Sequence, residues 1–140
     1  MNILIAVELN QKEDQQIIYK TLELVKNRNS KIHLVHVVRP IYNFGMISTQ
    51  ILLECLQKHE AYARKKVSEL GACYKVPKEF QFVKVGYIKE VITDLIHIID
   101  ADLLVMGNHD RHGFAVLIHR NKTINLLKHL DCDVLAVKVA

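Results

Sequence analysis

The chain reads as an α/β protein: an open, mostly parallel five-stranded sheet with helices on both faces. Three observations predict this. Short apolar runs alternate with longer segments of helical periodicity along the whole length. The short runs are near-continuous in Val, Ile and Leu, as strands buried on both faces are. Only two prolines occur in 140 residues, with no proline- or glycine-rich run, so one domain over 1–140 is expected.

The elements follow in order. Asn2 to Val7 is a buried strand that Glu8 ends. Asn10 can cap a helix, and Glu13 three residues on can complete a capping box. Ile17, Ile18, Thr21, Leu22 and Val25 then recur at helical spacing, with Asn29 as a stop. Lys31 to Val38 is the second strand. His33 and His36 lie inside it, three apart and so on opposite faces, which makes them structural imidazoles and not a metal pair. Pro40 to Thr49 is the longest connection, and its Tyr42, Phe44 and Met46 need a surface to cover. A long helix from about Ser48 to Leu70 carries Leu52, Cys55, Leu56, His59, Ala63, Val67 and Leu70 on one face, with Gly71 as its end. Glu79 to Val85 is the third strand. Gly86 turns the chain into a helix packed through Ile88, Val91, Ile92, Leu95, Ile96 and Ile99. Leu103 to Met106 is the fourth strand, Phe114 to His129 a helix, and Asp133 to Val139 the fifth strand.

Composition narrows the function. A formal charge of +4, spread along the chain apart from Arg64, Lys65 and Lys66, is too weak for a nucleic-acid stripe. No apolar run approaches the roughly 18 residues of a membrane span. Met1 to Glu8 reads as a strand without the features of a signal peptide, so a cytoplasmic protein is expected. Cys55, Cys73 and Cys132 are odd in number and far apart; they read as buried free thiols, outside any disulfide framework or metal set.

The stretch from Met106 to Asn121 holds the functional question. It follows an apolar strand and leads into a helix, the place where an open α/β sheet puts a phosphate loop. Yet Gly107 and Gly113 are its only glycines, with charged side chains between them. Glycines let backbone N–H groups cradle phosphate oxygens. Asp110 instead puts a carboxylate where phosphate would sit, and Arg111, His112 and Arg120 offset that charge without restoring the room.

The opening Ile3-Leu4-Ile5-Ala6-Val7-Glu8, the segment Asp102-Leu103-Leu104-Val105-Met106-Gly107-Asn108-His109 and the closing Leu127 to Val137 resemble the universal stress protein family. The resemblance spans essentially the whole chain. It implies a Rossmann-like, adenine nucleotide alpha hydrolase-like fold, a cytoplasmic homodimer paired through the last strand, and a link to stress survival. Nucleotide-binding members carry Gly, two residues, Gly, nine residues, then Gly with Ser or Thr. Those positions fall here on Gly107, Asp110, Arg120 and Asn121, and the acidic residue ending the first strand is Glu8, where the family usually has Asp. The chain thus resembles the branch without the ATP-binding glycine pattern. These five residues are the candidate nucleotide positions, and their binding is doubtful.

Other chemistry finds little support. His109, His112, His119 and Asp110 offer metal-ligand types at loose spacing, and no metal is expected. No serine sits on a nucleophile elbow. Asp131 and Asp133 raise the thiol pKa of Cys132, which disfavours a reactive thiolate. Glu8, Asp100 and Asp102 could gather at a cleft. The expectation is therefore a non-catalytic homodimer without a cofactor, acting through unidentified protein partners. The alternative is a nucleotide-binding switch or slow ATPase using the Gly107 to Asn121 loop.

Overall fold

The computed structural model describes residues 1–40, 48–108 and 130–139. Five strands form one sheet: β1 (Asn2–Ala6), β2 (Lys31–Val38), β3 (Gln81–Val85), β4 (Leu103–Asn108) and β5 (Asp133–Lys138). Their order is β3-β2-β1-β4-β5, and all four pairings are parallel. Three described helices connect them: α1 (Gln11–Val25), α2 (Thr49–Tyr74) and α3 (Ile88–Ile99). The Pro40–Thr49 aromatics and the expected helix over Phe114 to His129 lie largely outside the described residues.

Alternation along the strands splits the core in two. Ile3, Ile5, Leu34, Val83 and Val105 face α1 and α2. Leu4, Ala6, Val35, Leu104 and Met106 face Ile92, Leu95 and Ile96 of α3. Both faces are covered, which accounts for strands without a polar side. His33 and His36 take opposite faces, as expected. His33 is buried, its ring centroid 4.5 Å from that of Phe80.

α1 starts where the sequence signals it: the Asn10 side chain accepts the Glu13 N–H at 3.3 Å. α2 starts as expected, capped by Ser48, but runs further than expected at its other end. Its 26 residues span about 39 Å, against about 26 Å for the eight residues of β2. The first half therefore outruns the sheet. Only Ala63, Val67 and Gly71 are buried, while Ile51, Leu53 and Cys55 are exposed. Nor does Gly71 end the helix. The chain continues to Tyr74 and stops at Lys75, in the left-handed region at φ 57°. Gly71 is needed for room: a Cβ there would run into the Gln81 side chain, which donates to Val76 O at 2.9 Å.

The three cysteines are free thiols, but the expected burial fails. Cys55 and Cys73 are exposed on α2, and Cys132 is half-buried. Burial pushes the Cys132 thiol up, with Asp133 and Asp131 adding to the shift. The carboxylates act in the expected direction but are not the largest cause.

Candidate functional site

The strand order reverses between β1 and β4. The chain runs from β1 outward through β2 to β3, then returns to β4 on the other side. Ligands of open α/β sheets bind outside the carboxyl ends of the strands at such a point. The register shows the opening. β1 pairs with β4 only from Ile3–Leu103 to Ile5–Val105. Beyond that, β1 stays with β2 through Ala6–Val35, and the Val7 N–H donates to Val35 O at 2.9 Å. β4 stays with β5 through Gly107–Val137 and Asn108–Lys138. The β1–β4 ladder thus ends at Ile5 and Val105, and the place beyond it is where a switch point puts its crevice.

The β1 wall is closely built. His36 Nδ1 lies 2.8 Å from Val7 O. A carbonyl only accepts, so Nδ1 carries the proton. Glu8 follows, half-buried, and Leu9 takes the left-handed region at φ 65°. Asp14, from the first turn of α1, lies beneath this turn. It is fully buried, and its Oδ1 accepts the Glu8 N–H at 2.9 Å. Its Oδ2 has no partner among the described residues. Burial raises its carboxyl from 3.8 to about 6, and the Glu8 and Glu13 charges push the same way. The Glu8 and Leu9 N–H groups oppose that rise.

On the other wall, Met106 and Gly107 are buried and Asn108 is exposed. Of the five candidate positions, Glu8 and Gly107 thus stand at the crevice, on opposite walls. Asp110, Arg120 and Asn121 lie outside the described residues, as do His109, His112 and His119. Among the described residues no cluster of His, Cys, Asp and Glu could hold a metal ion. The suggested gathering of Glu8 with Asp100 and Asp102 does not occur. Parallel strands put Glu8 at the carboxyl edge, whereas Asp100 and Asp102 precede β4 at the amino edge. There Asp102 Oδ2 accepts the Asn2 N–H at 2.7 Å.

Asp14 escaped the reading of the sequence, although a signal was present. Asp14, Ile17, Ile18, Thr21 and Val25 form one buried helical stripe. The carboxylate stands in register with the core, where a charge is costly.

Comparison with known proteins now decides the family. The sequence matches the Universal stress protein family over residues 1–138. The chain belongs to that family. It is 33% identical to Universal stress protein A homolog 1 of Coxiella burnetii, over 97% of this chain and 94% of that protein. A family protein of Arabidopsis thaliana, solved with AMP bound, superposes with a TM-score of 0.62 at 22% identity, covering 100% of this chain and 92% of that one. A universal stress protein in complex with cAMP gives a TM-score of 0.67 at 15% identity, covering 100% and 98%. At these identities the two structures establish a shared fold. No helix among the described residues is long and apolar enough to cross a membrane.

Proposed function

We propose that this universal stress protein is a nucleotide-responsive binding protein without catalysis. In this reading it is cytoplasmic, homodimeric through β5, and takes an adenine nucleotide in the β1–β4 crevice without holding magnesium-ATP tightly. The observation that carries the reading is the parting of β1 from β4 beyond Ile5 and Val105, which opens the edge of the sheet where such ligands sit. Two proteins of the same fold, one with AMP and one with cAMP, support it. They favour the nucleotide alternative over action through protein contacts alone. The weak grip on triphosphate rests on Asp110, Arg120 and Asn121, which stand where binding members have Gly, Gly and a hydroxyl. A carboxylate at Asp110 repels a polyphosphate most and a single phosphate least.

Calorimetric titration with cAMP, AMP and magnesium-ATP tests this directly. We expect cAMP or AMP to bind with a Kd in the micromolar range and magnesium-ATP more weakly. A Kd for magnesium-ATP of about 10 μM or below, roughly 7 kcal/mol, overturns the weak grip. Absence of binding by all three at millimolar concentration overturns the nucleotide reading. Asp110→Gly is expected to strengthen ATP binding only in part, since Arg120 still occupies the third glycine position.

A further inference from the structure

Asp14 has no place in the family's glycine pattern, yet it is the most unusual side chain at the site. A fully buried carboxylate ordinarily has a cationic partner or a full set of donors. This one accepts the Glu8 N–H through Oδ1 and leaves Oδ2 without a partner among the described residues. The bond spans the junction between β1 and α1, so the carboxylate ties the crevice wall to the helix below it. The wall needs such a tie. Leu9 sits at φ 65°, a conformation that is disfavoured for a non-glycine residue. A charged acceptor holds a backbone N–H about twice as strongly as a neutral one.

We propose that Asp14 is the positioning residue of the crevice, holding the Glu8–Leu9 turn when ionised and loosening it when protonated, so that nucleotide occupancy depends on pH. The inference rests on the nucleotide reading of the crevice.

The surrounding charges suit a proton switch. Glu8 and Glu13 both disfavour the ionised form of Asp14. Across a cleft of about 300 Å³ between α1 and α2 stand Tyr62, Lys66, Glu69 and Cys73. Lys66 is engaged there, its Nζ 3.4 Å from Glu69 Oε2 and over the Tyr62 ring. On the β5 side, Lys20 donates to Lys138 O. From β2, His36 reaches the turn through Val7 O. None of these contacts puts a cation on Asp14. Its charge state is therefore set by burial, two N–H groups and the two neighbouring glutamates, a balance that lies close to even at about pH 6.

The test uses the whole protein and cAMP, whose single phosphodiester charge does not change over the range. In wild type, the Glu8 and Leu9 amide resonances should shift together as pH falls from 7.5 to 5.5. In Asp14→Asn, which keeps an oxygen for the Glu8 N–H but cannot take a proton, that shift should vanish. A proton taken up by His36 would act alike in both proteins. The Kd for cAMP should weaken about fivefold over the same range in wild type and stay level in the variant. Amides that ignore pH in wild type, or shift equally in the variant, overturn the role of Asp14. A wild-type Kd equal at both pH values overturns the coupling. If cAMP fails to bind at every pH, the nucleotide reading falls with the coupling, and the amide shifts alone decide whether Asp14 holds the turn.

Discussion

Asp14 weakens the fold at neutral pH. The unfolded chain ionises it near 3.8, whereas the fold holds it neutral up to about 6. Below 3.8 both states are protonated and the fold's preference for the neutral acid counts in full. It is lost as pH rises through 6. Between about pH 4 and pH 7, wild type should lose roughly 2 kcal/mol of stability relative to Asp14→Asn. Urea unfolding of both proteins across that range measures the difference. A difference that does not change with pH would mean that Asp14 does not titrate in the native state. A carboxylate retained beneath a candidate ligand wall, at a cost to stability, fits a functional role better than a packing one.

At the scale of elements, α2 gives the clearest prediction. Gly71→Ala improves intrinsic helix propensity by about 1 kcal/mol. It also sets a methyl against the Gln81 side chain, whose bond to Val76 O fastens the end of α2 to the start of β3. We expect a net loss of about 1–2 kcal/mol in thermal or urea unfolding. A more stable variant would show that Gln81 yields freely. The same helix shows where sequence reading stops. The strands were legible because their apolar runs are continuous and too short for buried helices. α1 was legible through its cap. The stripe of α2 from Leu52 was legible as one face, but periodicity reports which side of a helix is apolar and not how far the neighbouring sheet extends to cover it. Glu8 and Gly107 came from the resemblance to the family's pattern, and the strand order sets them on either side of the switch point. Asp14 is hidden in the sequence because an acidic residue in the first turn of a helix is ordinarily a solvent-exposed partner of the helix dipole.

At the scale of the molecule, β5 lies at one edge of the sheet. Its outer backbone groups invite pairing with a second copy, the geometry expected of a homodimer. Val137 is a poor probe of that contact. It is buried against the α1 side of the core, so a charge there would unfold the chain. Ala136 is half-buried and serves better. Light scattering should give twice the chain mass for wild type and a lower average mass for Ala136→Lys, with circular dichroism unchanged. A monomeric wild type at micromolar concentration would sink the dimer. An unchanged, folded variant would move the contact off β5.

Asp102 has a consequence for the order in which the molecule is made. Its side chain takes the Asn2 N–H, its own N–H goes to Asn2 O, and its carbonyl takes the Asp133 N–H. One residue thus fastens the amino ends of three strands. Asn2 and Asp102 are 100 positions apart, and closing a loop of that size costs about 4 kcal/mol in chain entropy. The latch cannot form alone and must follow the burial of β4. A chain leaving the ribosome can align β1, β2 and β3 early. It then carries β1 with one unpaired side until Leu103 to Val105 arrive. The central strand of the finished sheet is, for most of synthesis, an edge.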